Sequence, residues 1–281
     1  MKTLALDEVL RGVHNLPSLP AVVLDLLASL DNDADLDVPA LARLIEKDQS
    51  LSARTLRIAN SSFYGMPRQV RNVEDAIAML GLQTIRSIAL SASMIGRFPV
   101  RSGFGAFDFV AFWRHCIETA LAARALAALS GRSTALAYTG GLLHDVGRLV
   151  LAYQFPATHA AVLEHSGTHS CSLLQAEREL LRFDHCTIGQ ALAQHWKLPP
   201  EITAAIGQHH DENPGLGDPL PLLVHVADAM AHGMQGLRAG DTLEPVVCAD
   251  QWKSLGLQDG DLELVVRDVL QRQDAAFSIL S

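Results

Sequence analysis

Short apolar stripes at helical spacing, most of them opened by a capping side chain, recur along this sequence and predict an all-α fold. Asp37 precedes a segment with Pro39 in its first turn and Leu41, Leu44 and Ile45 along one face. A proline there gives up an N–H that a helix start would leave unpaired anyway. Ser18 stands in the same way before Leu19–Leu30, with Pro20 in the first turn. Asp48 caps Leu51–Ala59, Asn72 caps a short helix stopped at Gly81, and Thr84–Ile95 gives another. Between them, Asn60–Arg71 holds Gly65 and Pro67 and reads as a loop. Asn60, Ser61 and Ser62 form a polar stop that terminates the preceding helix, with Phe63 and Tyr64 as an anchor for the loop. The segments are too short to stand alone, so about five of them should pack into a bundle.

Residues 97–107 contain Pro99, Gly103 and Gly105 and mark the best internal boundary. The expected organisation is an N-terminal helical bundle over 1–107 packed on a C-terminal helical subdomain over 108–281. In that second part Asp108 caps a long helix, Phe109–Leu129, and Thr134–Tyr153 reads as one further helix. Later helices are expected near 157–166, 170–182, 186–196, 199–210, 219–235 and 261–279. Alternating apolar and polar runs are scarce, and Ala and Leu are abundant, so sheet is not expected.

Charge excludes one class of partner. The net charge is -9, and the densest basic stretch is Arg54, Arg57, Arg68 and Arg71. Duplex binding needs a basic footprint, so direct DNA binding is not expected. Cys116, Cys171, Cys186 and Cys248 lack the close spacing of a zinc ribbon or redox motif, which fits reduced thiols in a cytosolic protein. The start, MKTLALDEVL, has acids where a secretory leader needs an apolar run, and no stretch is apolar enough to span a membrane. The expected location is cytoplasmic.

The chemistry lies in the histidines. Of twelve, only His14 precedes residue 115. His159, His165 and His169 read as surface residues. His144-Asp145 is different, because it sits inside the apolar run GLLHDVGRLVL. A buried aspartate is costly without a partner. Arg148, three residues on, could pair with it. Alternatively a cation could, held together with His115, His185, the pair His209-His210 and Asp228, each on or beside an expected helix. Imidazoles with carboxylates suit a divalent transition metal such as Mn, Fe, Co, Ni or Zn. Such a metal can bind a phosphate and activate water. A metal-free, hydrogen-bonded polar cluster is the bland alternative.

The order of these residues resembles the HD superfamily of metal phosphohydrolases. That likeness implies a primary metal site at His115, His144, Asp145 and Asp228. Its HD-GYP branch implies further ligands at His185, His209 and His210. The segments LPSLPAVVLDLL, LARLIEKDQSLSARTLRIANSSFYG, VEDAIAMLGLQTIRSIALSASM, GLLHDVGRLVL and HCTIGQALAQHWKLPPEITAAIGQHH resemble the HDOD family, a bacterial signalling module, over nearly the whole chain. Two features depart from the hydrolytic branch. Arg148 stands where a lysine would, and DENPGLGDPL follows His210 in place of the GYP loop. The resemblance therefore implies a regulatory protein, more a binder than an enzyme. Signalling proteins or a nucleotide ligand, in the setting of cyclic-dinucleotide signalling, are the expected partners. The alternative it implies is a metal-dependent phosphohydrolase or phosphodiesterase, with Arg148 as a phosphate contact.

Overall fold

Capping chemistry sets the framework. In the computed structural model of this chain, Asp37 accepts from the Ala40 N–H, Asp48 from Leu51, Asn72 from Asp75, and Asp108 from both Val110 and Ala111. These caps open α3 (Val38–Glu46), α4 (Gln49–Ala59), α5 (Val73–Leu80) and α7 (Phe109–Leu129). Before them lie α1 (Leu6–His14) and α2 (Ala21–Ala28), and α6 (Leu82–Arg97) follows Gly81. The structure describes residues 4–16, 18–28, 37–60, 69–98, 107–211, 218–239, 248–277 and 280. Leu30, Ser61, Ser62, Phe63, Tyr64, Gly65, Pro67, Arg68, Pro99, Gly103 and Gly105 lie outside them. Asn60 does cap α4, and it also ties the loop base together: its Nδ2 donates to the Val70 carbonyl and its Oδ1 accepts from the Val70 N–H, at 2.8 and 2.7 Å.

The chain is all-α, with no strand among the described residues. Helix α1 was not expected. It buries Val9 and Val13 against α9 (Val146–Gln154) and α12 (His185–His195), and Gln154 Nε2 donates to its Gly12 carbonyl. Helix α2 starts at Ala21, later than Ser18 suggested, because the Pro20 carbonyl takes the first helical hydrogen bonds.

Helix α7 is a central element of the fold. It is buried on nearly every face and packs on α8 (Thr134–Leu143), α14 (Leu220–Ala239) and α16 (Asp261–Phe277). Its approach to α8 is close because Gly141 has no side chain: a Cβ there would lie 2.8 Å from the Ala120 Cα. That crossing sets His115 beside His144. Ser91 Oγ of α6 and the Tyr138 hydroxyl of α8 lie 2.9 Å apart and tie those two helices together.

Two expectations need correction. Thr134–Tyr153 is not one helix: α8 ends at Leu143 and α9 begins at Val146. His144 keeps helical angles, but Asp145 departs, with φ -95° and ψ 10°. In an unbroken helix, adjacent side chains diverge by about 100°. The break lets His144 and Asp145 face one point. His159 of α10 (Pro156–His169) is also not a surface residue. It is 3% exposed, edge-on to Phe107, with ring centroids 5.1 Å apart.

Burial, with the charge of Arg148, lowers the His159 pKa to about 4. The unfolded value lies near 6.5. The unfolded chain therefore binds this proton more readily, so His159 favours folding fully above pH 6.5. That contribution falls away as pH drops towards 4, by about 3 kcal/mol in all. His159→Phe should flatten the dependence of unfolding free energy on pH in this window, as read by urea titrations. An unchanged slope would show that the imidazole is solvated.

Candidate metal centre

Five stretches of chain converge on one point. Helix α7 carries His115, the α8–α9 break carries His144 and Asp145, and α12 begins at His185. His209 and His210 end α13 (Pro200–Gln208), and α14 carries Asp228. His210 is half-buried, and the other six are buried. Asp184 caps α12 through the Thr187 N–H and so fixes the helix start that aims His185.

His115 Nε2 lies 3.3 Å from His144 Nε2 and 2.9 Å from Asp228 Oδ1. His144 Nε2 lies 3.5 Å from Asp228 Oδ1 and 3.6 Å from Asp145 Oδ2. On its other side, Asp145 Oδ1 is 3.3 Å from His185 Nε2 and 3.8 Å from His209 Nε2. The His210 ring stands 4.2 Å from that of His209 and 5.1 Å from that of His185, centre to centre. Ligands bonded at about 2.1 Å to one ion sit roughly 3.0–3.4 Å apart at octahedral or tetrahedral angles. Most of these spacings are close to that range. Asp145 is shared between the two groups.

The outer ring nitrogens set the tautomers. Nδ1–H of His144 donates to the Gly141 carbonyl at 2.7 Å, and that of His209 to Ile206 at 3.0 Å. His185 uses Nδ1–H and its backbone N–H on Glu177 Oε2, at 2.6 and 2.8 Å. All three thus turn Nε2 towards the shared point, the arrangement that orients metal-ligating histidines.

Burial would raise the pKa of Asp145, but Arg148 and the imidazoles hold it well below the usual carboxylate range. Burial opposes ionisation of Asp228 too, and His115 and His144 outweigh it. Burial and neighbouring imidazoles push His209 well down and His210 to about 4, so both keep lone pairs. His185 goes the other way: burial disfavours its cation, yet Glu177 raises its pKa well above normal. A metal would have to displace that proton.

Whether the residues fit a metal is decided by two orphaned atoms. Asp228 Oδ1 and His185 Nε2 are buried and make no hydrogen bond among the described residues. The 2.9 Å approach of His115 to Asp228 is thus a convergence without a hydrogen bond. Unpartnered buried polar atoms are costly. A cation at the convergence would satisfy both, so the donor set fits one.

Several neighbours escaped the sequence reading. His232, four residues after Asp228, puts Nε2 3.5 Å from Asp228 Oδ1, and the i,i+4 spacing could have flagged it. Cys186 Sγ lies 3.9 Å from His209 Nδ1. Gln235 Nε2 bridges His115 Nδ1 and Glu118. Glu177, in the charged run QAERE, is 0% exposed. Arg148 Nη1 holds Asp145 Oδ2 at 2.5 Å, so the ion pair considered from sequence forms inside the cluster. Glu177→Gln removes the charge that orients His185. It should weaken metal binding about 10- to 100-fold, measured by competition with a chromogenic chelator. Unchanged affinity would leave Glu177 no such part.

Comparison with known proteins places this geometry. The profile of the HDOD domain family matches residues 16–212. An uncharacterized protein of Treponema pallidum is 25% identical over 219 residues, 77% of this chain and 42% of its own length. Ribonuclease Y of Latilactobacillus sakei is 28% identical over 200 residues, 71% of this chain and 32% of its own. The chain thus spans less than half the length of these curated relatives. Among solved structures, an HDOD domain protein of unknown function from Geobacter sulfurreducens has a TM-score of 0.74 at 26% identity, covering 97% of each chain. A Shewanella amazonensis protein provisionally named a phosphohydrolase has a TM-score of 0.76 at 27% identity, covering 97% of this chain and 98% of its own.

Proposed function

The chain belongs to the HDOD domain family, and from that premise we propose that it is a regulatory protein built around a divalent transition-metal centre, acting by binding rather than turnover. The observation that carries this reading is the convergence of buried nitrogen and carboxylate donors with two of them orphaned. His115, His144, Asp145 and Asp228 would hold one ion, and Asp145 with His185, His209 and His210 a second. Mn, Fe, Co, Ni and Zn all suit this donor set. A bound metal supplies Lewis acidity and cross-links helices that are distant in sequence.

Binding without turnover is favoured by Arg148, which occupies Asp145 Oδ2. It is favoured too by the segment DENPGLGDPL in place of a GYP loop. The output is contact with signalling proteins or a nucleotide ligand, with cyclic-dinucleotide pathways and the cytoplasm as the setting. The net charge of -9 argues against duplex DNA as the partner. No helix among the described residues is long and apolar enough to cross a membrane.

A second reading, a phosphohydrolase or phosphodiesterase, has one observation in its favour. Arg148 Nε is buried without a partner, an N–H that a phosphate oxygen could accept from. Protein purified without chelator, loaded with each metal and offered nucleotides and cyclic dinucleotides separates the two. The regulatory reading predicts tightly held metal and no phosphate release. Turnover that vanishes in His144→Ala and Asp145→Ala would replace it with the hydrolase.

A further inference from the structure

The hairpin between α10 and α11 (Leu173–Leu181) carries a second group of metal-ligating side chains, separate from the buried centre. His165 on α10, Cys171 in the turn and Glu179 on α11 each offer one donor atom, all within 4.8 Å of one another. The geometry points to a peripheral site for a borderline divalent metal, zinc above all, bound by an imidazole, a thiolate and a carboxylate.

The parts are held in place without an ion. Ser166 Oγ donates to the Cys171 carbonyl at 2.7 Å, and the Cys171 N–H donates to the Ser166 carbonyl at 3.2 Å, so the turn fixes the thiol. Ser170 closes α10 in the left-handed conformation, φ 50°, which swings the chain back at Cys171. Within α11, Gln175 Nε2 donates to Glu179 Oε1 at 2.9 Å, and across the hairpin Glu179 Oε2 lies 2.8 Å from His165 Nε2. That gap need widen only slightly to reach the ligand spacing around a zinc. His169, one turn after His165, stacks on it with ring centres 4.0 Å apart. Its Nδ1–H donates to the His165 carbonyl. Loading requires the Cys171 thiol to release its proton to solvent and the His165 proton to move to Nδ1. The N/S/O set differs from the nitrogen and carboxylate donors of the buried centre, and the two sites stand or fall independently.

Cobalt titration of the full chain separates them, because thiolate ligation gives a near-ultraviolet charge-transfer band. The band is expected to disappear in Cys171→Ser and to survive in Cys186→Ser, which alters the thiol beside His209. Zinc retained through gel filtration should fall by one ion per chain in Cys171→Ser and in His165→Gln. Circular dichroism checks that each variant is folded. With two surface variants on different segments, misfolding of one leaves the other to decide. No band in the wild-type protein, a band that persists in Cys171→Ser, or an unchanged zinc count in both variants would overturn the site.

Discussion

Asp145→Ala is expected to abolish tight metal uptake and to lower unfolding free energy by about 3–5 kcal/mol, the cost of breaking a buried ion pair from one side. Asp145 is 3% exposed, and its Oδ2 accepts from Arg148 Nη1. Truncation leaves that guanidinium without its anion, with Nε already unpartnered. It also removes the carboxylate that lies between the His115–His144 pair, on its Oδ2 side, and the His185–His209 pair, on its Oδ1 side. Adding metal should then no longer raise the melting temperature. In the wild-type protein, metal at a hundred times its dissociation constant should add about 2.7 kcal/mol. Asp145→Asn keeps the shape and a hydrogen bond to Arg148 but loses the charge. It should lie closer to wild type in stability while remaining as poor as alanine in metal uptake. A loss below about 1 kcal/mol for Asp145→Ala would mean that Arg148 is solvated on its own.

Gly147→Ala should be nearly as damaging, though the residue carries no chemistry. A Cβ at Gly147 would run into the His185 carbonyl oxygen and lie 2.8 Å from the Gly189 nitrogen, both backbone atoms of α12. Backbone cannot rotate aside as a side chain can, so α9 and α12 would have to separate. The expected cost is about 3 kcal/mol, the upper end for overpacking. Separation would also draw His185 away from Asp145, so metal affinity should fall together with stability. Gly167→Ala is the control. It is helical, with open space around its would-be Cβ, and should gain up to about 1 kcal/mol from helix propensity. Denaturant midpoints decide both. A neutral Gly147→Ala would mean that the α9–α12 contact does not position the site.

Local chemistry explains why some of this was readable in advance and some was not. The caps Asp37, Asp48, Asn72 and Asp108 act within three residues of themselves, so the sequence alone exposes them. The order His115, His144-Asp145, His185, His209-His210, Asp228 was likewise visible as residue types on expected helices. The break at His144-Asp145 was hidden, because GLLHDVGRLVL carries uninterrupted helical apolar spacing. Asp145 leaves helical geometry where its carboxylate meets Arg148 from its own turn and His185 from α12. His159 misled for a related reason: it is polar in a segment that reads as surface, and it is buried against Phe107, which sequence does not place beside it. Glu177 was passed over because its partner His185 is likewise brought to it only by the fold. Gly141 and Gly147 are the contacts through which helices approach closely, and that closeness shows only in the fold.

In the proposed function these donors surround a metal rather than one another. Crystals of protein prepared with Mn, Fe, Co, Ni and Zn available, measured on both sides of the absorption edge of the metal found, test it most directly. An anomalous peak is expected within about 2.0–2.2 Å of His115, His144, Asp145 and Asp228 donor atoms. No anomalous density at that point, with Asp228 Oδ1 and His185 Nε2 bonded only to neighbouring side chains or water, would contradict it.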